Sequence, residues 1–329
     1  MRICIISTGA LPTPLIGDKY SGMEREANWL VRGLEELGHN VSLIAKAGSY
    51  HPLRGELYEI DDENVISSLV NNAGLSFDVF IDFSHNKVLP KRRQDLTNII
   101  EQYQVQSLTG TGKNMVLISE GQRDGKFKGI KCPIIRQHID LSKYPVWTGP
   151  RENYLLGLAQ IIPEKRIDWS AQVAIETGVP VYIFGPQWTP PAYKAVLDKY
   201  VADYPDLVHI ASDIGGEEKL DFLQKARCLV HFPGALNFVE AGSIITLEAL
   251  ACGTVPILSR NGCHGEYVVH GINGFIVDSV EEAVAIIKSG AVDKIDPMVC
   301  RESVEWADYH NMALEYQALC EKIVAGERW

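Results

Sequence analysis

Apolar positions along this chain switch repeatedly between two periods. Short continuous apolar runs, the mark of strands buried on both faces, occur at residues 3–7, 41–45, 79–83 and 116–118. They occur again at 154–158, 181–184, 208–210, 228–232 and 255–259. Between them lie helical patterns. Residues 23–37 carry Ala27, Leu30, Val31, Leu34 and Leu37 near the i, i+3, i+4, i+7 spacing, and Gly38 supplies a stop. Further helices are predicted over 168–177, 191–204, 217–226, 244–251 and 304–324. A first loop with Pro12, Pro14, Gly17 and Gly22 separates the first strand from the first helix. Strand–helix alternation of this kind predicts parallel, doubly wound sheets.

The rhythm is interrupted at 141–153, which holds two prolines and a glycine and reads as a linker. The predicted layout is an N-terminal Rossmann-like domain over 1–145, a second over 146–305, and a closing helix in 306–329 that packs back on the first. With 329 residues and 46% hydrophobic content, two domains are expected at roughly 100–200 residues each. Two such sheets would face a cleft, and open α/β sheets bind ligands beyond the carboxyl ends of their strands.

A net charge of −11 lacks the basic face that nucleic acid and anionic membranes require, so neither is an expected partner. Seven scattered cysteines without a Cys-x-x-Cys pair point to reduced thiols and a cytoplasmic location, with no disulfide framework or zinc knuckle. No apolar run approaches the roughly 20 residues that span a bilayer.

The candidate chemistry concentrates in 238–277, where Glu240 and Glu248 stand with seven residues between them. Gly242-Ser243-Ile244 opens an apolar helix whose first amides, with the positive end of the helix dipole, suit a phosphate. The same spacing also suits a helix with one N-terminal acid and one surface acid. Glu248, however, lies among Leu247, Ala249, Leu250 and Ala251, and a buried glutamate needs a partner such as a sugar diol. Lys165, with Arg166 beside it, follows a predicted strand and could neutralise a diphosphate or be a solvated basic pair. Ser21-Gly22 opens the first helix, as a ligand contact or as an ordinary N-cap. His85 follows the strand at 79–83, where a histidine is either exposed, structural or directed at a ligand. The basic stretches 87–93 and 126–131 are solvated faces or a landing site for an anionic acceptor. The Thr109–Asn114 stretch fails as a P-loop, because Ser107 and Asn114 replace its first glycine and its Ser/Thr. No Asp-x-Asp pair offers a bridging magnesium site, so no metal is expected.

Together these segments resemble the retaining glycosyltransferases of GT-B fold, the large "family four" group that uses nucleotide sugars. The resemblance runs from Ser21-Gly22-Met23-Glu24 and Gly38-His39-Asn40-Val41, through Cys132–Asp140 and Pro163-Glu164-Lys165, to Glu240-x7-Glu248 and the following Ala-Leu-Ala-Cys-Gly-Thr-Val-Pro. Asn261-Gly262 to Glu266 and Asn273-Gly274-Phe275 extend it. The short length and Phe184-Gly185-Pro186-Gln187-Trp188 resemble the compact, antibiotic-tailoring members of the group.

The resemblance implies a metal-independent, cofactor-free transfer from a nucleoside-diphosphate sugar, UDP before GDP, to a small-molecule, glycan or other hydroxyl acceptor. Glu240 would hold the sugar and Glu248 the ribose. Lys165 and the Gly242, Ser243, Ile244 and Ile245 amides would hold the diphosphate. Ser21, Gly22, Gln160, Arg166, Gly185 and Pro186 complete the expected donor contacts. Catalytic roles fall to Glu240, Lys165 and His85. Two departures stand out: Gln160 replaces the group's usual arginine, and the segment matching its N-domain histidine is shortened to 106–112 and holds none. A nucleotide-sugar-binding protein without transfer activity is the main alternative. An epimerase, a phosphorylase and a DNA-base glycosyltransferase are further ones.

Overall fold

The computed structural model describes residues 1–14, 19, 21–104, 110–234 and 237–329. Gly17 of the first loop, Tyr20 and residues 106–109 of the shortened segment lie outside them. The chain divides into two compact units, one of residues 1–140 with 307–329, the other of 141–306.

The first unit holds strands β1 (Arg2–Ile6), β2 (Asn40–Lys46), β3 (Leu57–Ile60), β4 (Val79–Asp82), β5 (Ile99–Gln102) and β6 (Met115–Val116). They form one parallel sheet in the order β3-β2-β1-β4-β5-β6. Helices α1 (Gly22–Glu36), α2 (Ile66–Asn72) and α3 (Val88–Arg92) lie in the connections between them, and α4 (Glu120–Gly125) follows the last strand. The closing helix α12 (Tyr309–Val324) packs against α1, where Gly33 lets Ala313 and Tyr309 approach closely. It begins later than the apolar pattern predicts, because Asp308 accepts the His310 amide and caps a new start after a 3-10 turn at Glu305–Ala307.

The second unit holds β7 (Leu155–Leu158), β8 (Val181–Phe184), β9 (Val208–Ala211), β10 (Cys228–His231), β11 (Pro256–Ser259) and β12 (Phe275–Val277). Their order, β12-β11-β10-β7-β8-β9, repeats that of the first sheet when each unit's strands are counted from its own first. All pairs are parallel. Helices α5 (Ile167–Thr177), α6 (Pro191–Asp203), α7 (Gly216–Lys225), α8 (Ile244–Ala251), α9 (His264–Tyr267), α10 (Val280–Lys288) and α11 (Pro297–Glu302) flank it. Both units are therefore doubly wound α/β folds, each with a strand-order reversal beside its first strand.

The Pro/Gly-rich segment that reads as a linker is fixed to the second unit. Arg151 donates to the carbonyls of Gln224 (2.6 Å) and Gly253 (2.6 Å) and to Thr254 Oγ1 (2.5 Å). The Trp147 amide bonds the Cys252 carbonyl. Among the described residues, no helix is long and apolar enough to cross a membrane.

Candidate donor site at a strand-order switch

In the second unit the sheet order reverses between β7 and β10, and the loops after these two strands carry Lys165 and Glu240. Pro163 starts a 3-10 turn, Pro163–Lys165, that returns the chain toward α5. Arg166 then adopts φ +47, the left-handed region that favours glycine. The Gly234 amide bonds the Glu164 carbonyl at 2.9 Å and ties the two loops together.

Lys165 Nζ donates to Glu240 Oε2, and both side chains are buried. Lys165 also lies 4.6 Å over the Phe238 ring. His231, the last residue of β10, places Nε2 3.5 Å from the same oxygen. Burial opposes ionisation of Glu240, but the Lys165 charge and His231 overcome it and hold the carboxyl down to about 2. Burial pushes both neighbouring imidazoles down, His264 to about 4, so at neutral pH they are uncharged.

The Glu240 backbone is locked by the next loop. Its amide donates to Asn261 Oδ1 (2.7 Å), Asn261 Nδ2 donates to Phe238 O (2.9 Å), and the Cys263 amide donates to Glu240 O (2.9 Å). Gly262 has φ +49, and a Cβ there would lie 1.9 Å from the Glu240 carbonyl oxygen. This explains the Asn-Gly pair: the amide side chain holds the glutamate loop and the glycine lets it approach.

Four residues after Glu240 α8 begins. Ser243 stands at its N-cap, yet its Oγ pairs with Thr246 Oγ1 (2.8 Å) and makes no cap bond. The Ser243 carbonyl accepts the first helical bonds, from the Thr246 (3.0 Å) and Leu247 (3.4 Å) amides, so the Ile244 and Ile245 amides have no acceptor within the helix and the turn beside Glu240 keeps its anion-binding capacity. Gly242 and Ile245 are half-buried, and Ser243 and Ile244 buried.

Glu248 lies on the same helix, 1% exposed. It accepts from Tyr144 Oη (2.6 Å) and Lys219 Nζ (3.0 Å). Lys219, Tyr144, His231 and His264 were not singled out from the sequence. The only signal for the histidines is that an apolar strand ends on one and a glycine turn precedes the other.

The other expected donor contacts take these places. Gln160 is half-buried on the β7 loop. Arg166 lies over Trp169 (4.3 Å) and reaches the Gly234 carbonyl (3.4 Å). Gly185 sits against the Ala159 carbonyl, where a Cβ would come to 1.7 Å, and the Pro186 carbonyl accepts the Ile161 amide at 3.0 Å.

In the first unit the order reverses between β1 and β4, and the loops there lead to Ser21-Gly22 and carry His85. Ser21 is buried and makes no cap bond to α1. The amides of Gly9 (3.0 Å), His85 (3.0 Å) and Asn86 (2.8 Å) all donate to Glu63, which joins the two loops. His85 Nδ1 lies 3.6 Å from Glu63, with its side chain about two-fifths exposed. Burial works against the Glu63 charge, but His85 and these amides bring its carboxyl down to about 2. Lys87, at φ +49 and buried, closes the loop by donating to the Asp82 (2.7 Å) and Ser84 (2.6 Å) carbonyls.

The family described as Glycosyl transferases group 1 matches residues 152–298. A search of curated protein sequences finds no match. Among solved structures, AviGT4, a glycosyltransferase involved in avilamycin A biosynthesis, is similar over 100% of this chain and 99% of its own, at TM-score 0.82 and 22% identity. Sucrose-phosphate synthase from Thermosynechococcus elongatus aligns over 99% of this chain and 100% of its own, at TM-score 0.76 and 14% identity. Anabaena HepE, solved with UDP and glucose, aligns over 97% of this chain and 99% of its own, at TM-score 0.70 and 14% identity. The two six-stranded parallel sheets with flanking helices are those of the GT-B fold.

Proposed function

Because residues 152–298 form a glycosyltransferase group 1 domain in a chain of GT-B fold, we propose that the protein is a retaining glycosyltransferase. It takes a nucleoside-diphosphate sugar, UDP before GDP, and needs no metal or other cofactor. The carrying observation is the Lys165–Glu240 pair at the β7/β10 switch, one turn from the open start of α8. A diphosphate on the Ile244 and Ile245 amides would draw on Lys165, while Glu240 accepts sugar hydroxyls. Chemistry of this type relies on positioning and on stabilising the departing diphosphate, which dipole and lysine together can supply. The UDP complex of HepE supports the choice of nucleotide. Glu248, held by Lys219, is assigned to the ribose, and His85 to the acceptor side.

Calorimetric titration with UDP and GDP tests this reading. UDP is expected to bind, and Lys165→Ala to bind at least about tenfold more weakly, the scale of one charged hydrogen bond. No binding of either nucleotide, or equal binding by Lys165→Ala, overturns it. The configuration of the transferred sugar, read by NMR, decides retention.

A second reading, a nucleotide-sugar binder without transfer, is favoured by one observation. Lys165 is already matched by Glu240, and Gln160 adds no second cation. Turnover of a bound nucleotide sugar with any acceptor or with water removes it.

A further inference from the structure

Behind the Lys165–Glu240 pair lies a set of groups that the transfer chemistry leaves unexplained. His264 is wholly buried on the short helix that follows Gly262-Cys263. Its Nδ1 lies 2.8 Å from the Ser259 carbonyl. A carbonyl only accepts, so Nδ1 carries the proton and Nε2 presents a lone pair. That Nε2 has no hydrogen-bond partner among the described residues, an unsatisfied acceptor at zero exposure. The ring is also part of a cluster: one ring nitrogen each of His264 and His231 and a Glu240 carboxylate oxygen lie within 4.8 Å of one another, all on buried residues.

Three converging donor atoms need a shared positive partner. Lys165 serves the carboxylate, but nothing described serves His264. Two neutral imidazoles and one carboxylate form a donor set suited to zinc and its neighbours, and ill-suited to magnesium or calcium, which take oxygen ligands. The Nδ1–H bond to a backbone carbonyl is also the usual outer-shell support of a ligating histidine.

We propose that His231, Glu240 and His264 Nε2 bind a divalent transition-metal ion of the zinc class. The ion and the Lys165 ammonium are alternative partners of Glu240, so a bound ion withdraws Glu240 from the donor site. Only this inhibitory consequence rests on the proposed function; the metal site does not.

The test is titration of the full-length chain, free of any histidine tag, with Co²⁺ followed by Zn²⁺. Visible absorption of low-coordinate Co²⁺ is expected at one equivalent, displaced by Zn²⁺ and not by Mg²⁺. His264→Asn keeps a donor for the Ser259 carbonyl but lacks Nε2, and should weaken the site at least about tenfold. Lys165→Met, or Lys165→Gln if the first does not fold, removes the competing cation. It should tighten metal binding by about tenfold or more while weakening UDP binding. Absence of the Co²⁺ band, or an unchanged band in His264→Asn, overturns the site. Unchanged metal affinity in both Lys165 variants overturns the competition. Metal binding as described without any UDP binding would instead remove the proposed function and leave the site standing.

Discussion

The two sheets share one strand order, yet two of their buried glutamates, Glu240 and Glu26, are held in opposite ways. At each reversal two loops are bonded together, and each pair includes a non-glycine residue in the left-handed region, Lys87 in one unit and Arg166 in the other. In the second unit each buried glutamate of the Glu-x7-Glu stretch meets a lysine, Glu240 with Lys165 and Glu248 with Lys219. In the first unit Glu63 is held by backbone amides and His85, and Glu26, among the described residues, only by the side-chain amides of Gln104 (2.7 Å) and Gln137 (3.3 Å). Burial without a countercharge pushes the Glu26 carboxyl up to about 8, against about 2 for Glu240. The lesson is that the shared topology sets where polar groups gather, and the neighbouring cations decide whether they stay charged.

The comparison breaks most visibly if the lysine is removed. Lys165→Met leaves Glu240 buried beside neutral groups and should destabilise the protein by about 3–5 kcal/mol, the usual effect of breaking a buried pair. The double replacement Lys165→Met/Glu240→Leu should recover most of that loss without restoring UDP binding. Denaturant unfolding of native, single and double variants measures both. A Lys165→Met midpoint equal to the native one would mean that the pair is not formed in solution.

This pair also marks how far the sequence could be read. Lys165 and Glu240 were nameable because each follows an apolar strand, and the parallel rhythm brings such loops to one edge. The companions of Glu248 were not. Lys219 sits on α7 within an ordinary charged pattern, and Tyr144 in a segment whose prolines read as a linker. What makes them site residues is the packing of α7 and of that segment beside α8, which no periodicity encodes. The doubly wound class was likewise legible in the alternation. The short elements β3, β5, β12 and α2 were not assigned, because four or fewer strand residues, or two polar-rich turns of helix, carry little pattern, whereas α10 went unassigned although Val280, Ala283, Val284 and Ile287 carry the i, i+3, i+4, i+7 spacing.

The second way to sharpen the comparison is pH. Glu26 binds its proton more tightly folded than unfolded. Its contribution is therefore fully present below the ordinary carboxyl value of about 4.3 and is lost as pH rises toward about 8. Glu26→Gln carries no such titration. Relative to the native protein, the variant should gain about 2 kcal/mol between pH 6 and pH 8. Paired unfolding curves at the two pH values measure the gain. A constant difference would show Glu26 ionised at both, as Glu240 is, and the contrast between the units would lose its electrostatic basis.

The smallest effect concerns helix starts. Ser279 caps α10 by accepting the Glu282 amide, whereas Ser21 at the start of α1 makes no cap bond and, among the described residues, its hydroxyl reaches only the Lys19 carbonyl at 3.4 Å. Ser279→Ala should destabilise by about 1 kcal/mol, the typical value for a lost N-cap. Ser21→Ala should remove less than about half of that, because no orphan amide depends on the hydroxyl. Urea unfolding of the two variants separates the cases. Equal losses would mean that Ser21 caps α1 in solution, closing the amides of that turn and leaving the start of α8 as the open one of the pair.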